Sequence, residues 1–286
     1  MSANVDSNVV AGFGDEWSRF DQSGLSASEL ERLFDNYFNI FPWGALPRDA
    51  VGFDLGCGSG RWARLVAPRV GKLFLFDPSP DALSVARRNL AGQDNCEFEV
   101  ADAGSIPLAA GSCDFGYSLG VLHHIPDTAA GLRECVKKLK PGAPFLLYLY
   151  YSFDNRPAWF RTIWKISEVG RRIISRMPHS LRYALSQVIA TTVYFPLAKI
   201  SLLGEKLGVD VEHLPLAQYR GTSFYTMRTD ALDRFGTRLE KRFSKAEINA
   251  MMVDAGLGDI VFSTTSFWTA VGYRQGDQNR VTISES

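Results

Sequence analysis

The chain has 286 residues, enough for one large domain or a domain carrying an inserted piece. Its 31 Lys and Arg balance 31 Asp and Glu, so the molecule as a whole has no electrostatic case for nucleic acid. No basic start followed by an apolar run opens it, and no apolar stretch approaches about 18 residues, so a cytoplasmic protein without a transmembrane segment is expected. The cysteines, Cys57, Cys96, Cys113 and Cys135, lack C-x-x-C spacing and read as reduced, packed thiols.

In chain order, residues 1–12 are polar and read as a loose end. Phe13, Trp17 and Phe20 then recur at helical spacing. Ser26 or Ser28 can cap a second helix, Glu29 to Phe41, with Leu30, Leu33, Phe34, Tyr37 and Phe38 on one face. From Ala50 strands and helices alternate, the pattern of a parallel sheet covered on both faces. The strands are Val51 to Leu55, Lys72 to Phe76, Cys96 to Ala101, Phe115 to Ser118 and Pro144 to Tyr150. Helices are expected from Arg61 to about Ala67, from Asp81 to Leu90 behind a Ser79-Pro80 cap, and from Asp127 or Thr128 to Leu139. After Phe243, Ser244-Lys245-Ala246-Glu247-Ile248 opens a helix to Ala255. Asp259 to Thr264 and Phe267 to Tyr273 then read as a closing antiparallel pair.

The first strand runs into Asp54-Leu55-Gly56-Cys57-Gly58-Ser59-Gly60. Glycines at a strand's carboxyl end let a ligand lie against the backbone, because no Cβ blocks the approach and positive φ costs little. A dinucleotide fingerprint reads G-x-G-x-x-G, whereas here Arg61 stands at the third glycine's place, which argues against NAD. Asp54 argues the same way, since a carboxylate repels a pyrophosphate but attracts an ammonium. This pattern resembles the first motif of the class I S-adenosylmethionine-dependent methyltransferases, small-molecule type. The resemblance covers roughly residues 50–150 and resumes near Phe243. It implies an α/β fold: a Rossmann-like, seven-stranded, mostly parallel sheet with helices on both faces and an antiparallel last strand.

By that resemblance S-adenosylmethionine is the cofactor, and Asp54, Gly56, Cys57, Gly58 and Gly60 form its cradle. Asp77 takes both ribose hydroxyls with Pro78 beside it, Asp102 and Ala103 meet the adenine, and Leu119-Gly120 pass under the methionine part. Helices ahead of the first strand fold over the cofactor in this family. Trp17 and its aromatic neighbours therefore either wall the site or merely dock on the sheet. A sulfonium methyl is already activated, so the protein mainly aligns acceptor, carbon and sulfur in line and excludes water. His124, and with it His123, are the candidates to take an acceptor's proton, the alternative being that they shape the pocket or cap the next helix. Tyr150 and Tyr151 are candidates to orient the acceptor. Adjacent histidines do not readily face one metal, and no carboxylate or cysteine spacing completes a zinc site, so no metal is expected.

Residues 151–242 break the alternation. Trp159, Ile163, Ile166, Val169, Ile173 and Met177 follow helical spacing, with Arg161, Lys165, Glu168, Arg172 and Arg176 on the opposite side. From Tyr151 to Arg182 seven Lys or Arg stand against two acids. A second apolar helix, Leu181 to Leu203, is kinked or broken at Pro196. Placed after the fifth strand, this helical insertion is expected to lie over the site as a lid and to supply the acceptor pocket. Its positive face has three readings: a solvated face, a site for an anionic acceptor, or a peripheral membrane contact carrying a lipid-like acceptor. Tyr219 to Phe243 reads as neither helix nor strand. Tyr225, Arg228 and Arg234 are its candidates for substrate contact, the alternative being arginines paired with nearby acids.

The organisation expected is 1–49, helices over the cofactor; 50–150 with 243–275, the methyltransferase core; 151–242, the lid; and 276–286, a tail. The function expected is methyl transfer to a small apolar, aromatic or anionic acceptor at O, N or C. Other classes are a protein that binds the cofactor or S-adenosylhomocysteine without turnover, as a sensor or assembly partner, and a nucleotide-dependent oxidoreductase. A nucleic-acid substrate is disfavoured by the zero net charge and by Leu119-Gly120-Val121-Leu122 where base-amine enzymes carry Asn/Asp-Pro-Pro-Tyr. The residues leave the oligomeric state open.

Overall fold

The computed structural model describes residues 4–153, 156–212, 214–265 and 268–276. Five parallel strands, β1 (Val51–Leu55), β2 (Lys72–Asp77), β3 (Cys96–Val100), β4 (Phe115–Leu119) and β5 (Pro144–Tyr148), are joined by β7 (Thr269–Arg274), antiparallel to β5, and by β6 (Leu257–Phe262) at the edge. The order is β3-β2-β1-β4-β5-β7-β6. It turns between β1 and β4, and in open α/β sheets a crevice opens at the carboxyl ends of such a pair. Gly52 and Gly116 make the β1–β4 pairing possible. A Cβ on Gly52 would lie 2.2 Å from the Phe115 ring, and one on Gly116 would lie 2.5 Å from Phe53. Each glycine is the register partner of the other strand's aromatic ring.

Helices α3 (Ala63–Val66), α4 (Pro80–Asn89), α5 (Thr128–Lys138) and α10 (Lys245–Asp254) cover the sheet. Ser79 caps α4 as expected, Asp127 of the two candidates caps α5, and a Ser244–Glu247 capping box starts α10. At the N-terminus the expected loose end is corrected. Asp6 accepts hydrogen bonds from Asn8 and Val9 N–H and starts α1 (Ser7–Arg19) six residues ahead of the aromatic stripe. Ser26 caps α2 (Ala27–Phe38), whose Phe34 and Phe38 join Phe41, Phe115 and Tyr117 in one core on that face of the sheet.

Three features of 151–242 differ from expectation. The second apolar helix is α7 (His179–Ile189) and α8 (Phe195–Lys206), joined without a break by a π-helical turn, Ala190–Tyr194, that absorbs the missing N–H of Pro196. The resulting helix, His179–Lys206, is long and apolar enough to cross a membrane by length and composition, which corrects the reading that no stretch approached that length. The stretch read as irregular contains α9 (Phe224–Gly236), capped by Ser223, with Met227, Ala231 and Leu232 buried. Finally, α6 (Ala158–Ile174) forms as expected but turns its apolar stripe outward: Trp159, Ile163, Ile166, Val169 and Ile173 are exposed while Arg171 is buried. Phe267 and residues 277–286 of the tail lie outside the described residues.

Candidate active site

The crevice at the ends of β1 and β4 is built first by backbone. Gly56, Gly58 and Gly60 adopt φ of 77°, 53° and 74°, values that L side chains rarely adopt. Gly56 and Cys57 N–H donate to Phe76 O at 2.7 and 3.0 Å, tying the loop to β2. Asp77 then fastens it: Oδ2 accepts from Gly58 N and Oδ1 from Ser79 N, both at 2.9 Å. Each oxygen keeps a further lone pair for a hydroxyl donor. Burial pushes the Asp77 carboxyl up to about 6, against those two backbone bonds.

Asp54 is buried beside it, and its Oδ2 has no hydrogen-bond partner. Burial pushes this carboxyl up to about 8, with its neighbour Tyr117 pulling the other way and Asp77 adding to the rise. An unpartnered buried carboxylate calls for a cationic donor. At the end of β4, Gly120 has φ 78°, and a Cβ there would meet nothing within 4 Å, so space lies open over the strand end. Asp102, at the end of β3, is half-buried and holds Gly104 N at 2.7 Å, with Ala103 buried next to it. Cys57 is packed into the core on the α2 side of the sheet.

Helix α1 closes over this loop. Gly14 packs so tightly on the β2–α4 turn that a Cβ would lie 2.8 Å from Ser79 Oγ. Trp17 lies on the glycine loop, its Nε1 2.8 Å from where a Gly58 Cβ would be. Asn89 donates to both Asp21 O and Ser59 O, holding the two segments together. The two readings of the N-terminal aromatics therefore divide by helix: those of α2 dock on the sheet, while Trp17 of α1 stands over the glycines.

The histidines occupy the neighbouring part of the rim. His123 is fully buried, with neither ring nitrogen hydrogen-bonded; its ring lies 3.9 Å from that of Tyr150. Burial holds it well below the usual imidazole range, so it is neutral. His124 Nδ1 lies 2.6 Å from Leu239 O. A carbonyl only accepts, so Nδ1 carries the proton and Nε2 holds the lone pair. That Nε2 is buried without a hydrogen-bond partner and lies 3.9 Å from Asp233 Oδ1. The Tyr150 hydroxyl donates to the other oxygen of Asp233.

Carboxylates that the sequence reading did not single out share this region. Glu16 of α1 is buried, and burial, followed by Asp233 and Asp230, raises its carboxyl well above the usual range while Arg61 opposes the rise. Burial likewise raises Asp230 to about 6, with Arg61 and a Tyr219 hydroxyl opposing. The expected substrate residues are more dispersed. Tyr225 receives Gln22 N–H on its hydroxyl at 2.8 Å and packs its ring on Gly24 and Phe20. Arg228 donates to Gln187 Oε1 and Tyr183 Oη, and Arg234 to Glu240 and Glu168. Tyr151 packs on Phe153 and Trp268. The structure thus gathers Tyr150, His123 and His124 and engages Tyr151, Tyr225, Arg228 and Arg234 with other parts of the protein.

Residues 53–147 match the methyltransferase domain family. The match covers about a third of the chain, and the sheet around it has a Rossmann-like order. A ubiquinone biosynthesis O-methyltransferase from Xanthomonas axonopodis is 29% identical over 133 residues, covering 46% of this chain and 53% of its own. A tRNA (carboxymethyluridine(34)-5-O)-methyltransferase from Macaca fascicularis is 30% identical over 113 residues, 37% of this chain and 15% of its own. The chain thus spans about half or less of these curated relatives. Human N-acetylserotonin methyltransferase in complex with S-adenosylmethionine shares the fold at TM-score 0.51 and 15% identity, over 92% of this chain and 57% of its own.

Proposed function

We propose that the protein transfers a methyl group from S-adenosylmethionine to a small acceptor with an apolar or aromatic body and a hydroxyl or amine as its reacting group. The observation that carries the reading is Asp54: a buried carboxylate with an unpartnered oxygen beside three left-handed glycines. When bound, S-adenosylmethionine supplies a methyl already activated on a sulfonium. Asp54 holds the cofactor's ammonium, Asp77 uses its remaining lone pairs on the ribose, Asp102 and Ala103 meet the adenine, and Leu119-Gly120 line the methionine part. Trp17 excludes water from above, which strengthens every electrostatic contact beneath it.

His124 Nε2 takes the proton of the reacting hydroxyl or amine. Asp233, positioned by Tyr150, steadies the imidazolium that results. Glu16, Asp230 and Asp233 favour an acceptor that brings hydrogen-bond donors, and the engagement of Arg228 and Arg234 with protein groups weighs against an anionic one. Helix α9, which carries Asp230 and Asp233, contributes the acceptor side of the site from within the insertion.

The test is transfer of labelled methyl from S-adenosylmethionine to panels of phenols, amines, carboxylic acids and total tRNA. Label in a phenol or amine is expected, with His124→Ala lowering kcat by about 10²-fold or more at unchanged cofactor affinity. Label only in tRNA or only in carboxylic acids contradicts the acceptor assignment, and cofactor binding with no transfer to any panel points to a sensor.

A further inference from the structure

The large apolar side chains that stand exposed are not scattered. Among the described residues, fifteen of eighteen fall between Trp159 and Phe224. Soluble surfaces carry single exposed apolar residues without consequence, but a concentration of this kind marks an interaction face. Helix α6 is its most ordered part. Trp159, Ile163, Ile166, Val169 and Ile173 are between 47% and 68% exposed.

Successive helical residues advance by about 100°. On that wheel the outward half of α6 divides lengthwise into two strips. The apolar strip runs through Trp159, Ile163, Ile166, Val169 and Ile173, and beside it runs a cationic strip of Arg161, Lys165 and Arg172, continued just past the helix end by Arg176, all exposed. The helix's single acid, Glu168, is turned inward against Arg171 and Arg234, though Arg172 reaches its edge at 3.3 Å. The inward side is committed to protein as well: Arg171 donates to Thr237 O and Arg238 O, just past the end of α9. The apolar strip therefore cannot turn inward without stranding a buried guanidinium.

We propose that α6 is a docking element for an anionic phospholipid surface, lying in the plane of the interface with its apolar strip among the acyl chains and its arginines and lysine at the headgroups. A helix with Trp and Ile on one strip and Lys and Arg on the next, and no outward acid, has the composition of an interfacial helix. The long cationic stems can reach headgroups while their carbons stay apolar. A second copy of the chain is the poorer occupant. In a two-fold contact with the α6 helices antiparallel, the cationic strips of the two copies would lie side by side, with no outward acid on α6 to answer them. The outward residues Leu181, Val188, Val193, Ile200 and Leu203 of α7–α8 extend the apolar character along the next helix. The other side of that helix is held to the body by Arg182, which donates to Gly236 O at 3.1 Å.

The test is co-sedimentation of the full chain with vesicles of phosphatidylcholine alone and of phosphatidylcholine mixed with phosphatidylglycerol, at low and high salt. Binding to the mixed vesicles is expected to exceed that to the neutral ones by tenfold or more and to fall with salt. Arg161→Glu and Lys165→Glu should each weaken it several-fold, and Ile166→Asp should reduce it by tenfold or more. Melting curves of these variants should match the parent, since the side chains touch solvent. No sedimentation with either vesicle, equal sedimentation with both, or insensitivity to Ile166→Asp would overturn the proposal. So would a concentration-dependent dimer that Ile166→Asp abolishes. None of these readouts depends on methyl transfer, so the docking proposal and the enzymatic one fail separately.

Discussion

Helices α2 and α6 carry apolar stripes of the same helical period, and the fold points them in opposite directions. In α2, Leu30, Phe34 and Phe38 are buried against the sheet. In α6, the stripe is exposed and the buried positions hold Arg171 and the inward edge of Glu168. A periodic stripe therefore specifies a helix and a face, but what the helix packs on decides which face goes inside. Beneath α2 lie Phe115 and the ring of Tyr117, whose faces take apolar side chains. Beneath α6 lie the carbonyls of Thr237 and Arg238, which need donors. A helix end exposes carbonyls that must find partners, and a guanidinium supplies them better than an isoleucine can.

The largest effects expected from this contrast are in stability. Arg171→Ala leaves the two carbonyls inside without their donor, and Glu168 with only Arg234 and Arg172, and should cost about 3–5 kcal/mol in denaturant melts. Phe38→Ala, which empties part of the α2 core, should cost a similar 3–5 kcal/mol or so. By contrast Ile166→Ser should change stability by roughly 0.5 kcal/mol or less, because its side chain is already in water. A large loss at Ile166 with none at Arg171 would mean that α6 packs the other way round.

Between these extremes is a pH effect. Burial alone would raise the Glu168 carboxyl, but Arg171 and Arg234 overcome it and hold it at about 2. The sign follows: the contribution is present above the ordinary carboxylate range near 4 and is lost as pH falls toward 2. Asp54 has the opposite sign. Its native value near 8 lies above the unfolded one, so ligand-free protein loses stability as pH rises from about 4 to 8. Asp54→Asn should accordingly raise the melting temperature at pH 8, by roughly 2–4 °C per kcal/mol recovered, while weakening cofactor binding. A variant that melts lower and binds unchanged would deny Asp54 its role.

Legibility in the sequence followed the same line. The strands and the Gly56–Gly60 loop were readable because small residues, an acid and a strand end stand at fixed spacing, and little else uses that combination. Helix α9 was not, because its inward side mixes Met227 and Leu232 with Asp230 and Asp233, so no clean apolar period emerges. Glu16, Asp230 and Asp233 were passed over for a related reason: carboxylates on helices ordinarily face water. Glu16 is buried and Asp230 and Asp233 are half-buried because α1 and α9 meet above the strand ends, which no local pattern announces. The direction of α6 depended on Thr237 and Arg238, some 65 residues downstream, and a helical wheel carries no such information.

The measurement that tests the central claim most directly is calorimetric titration of the protein with S-adenosylmethionine, S-adenosylhomocysteine and NAD in parallel, repeated with Asp77→Asn. Micromolar binding of the first two, none of NAD, and a loss of about tenfold or more in the variant are expected from a ribose held by that carboxylate. Binding of NAD alone, or full affinity for S-adenosylmethionine in a folded Asp77→Asn protein, would contradict the assignment of the glycine loop and everything built on the strand ends beside it.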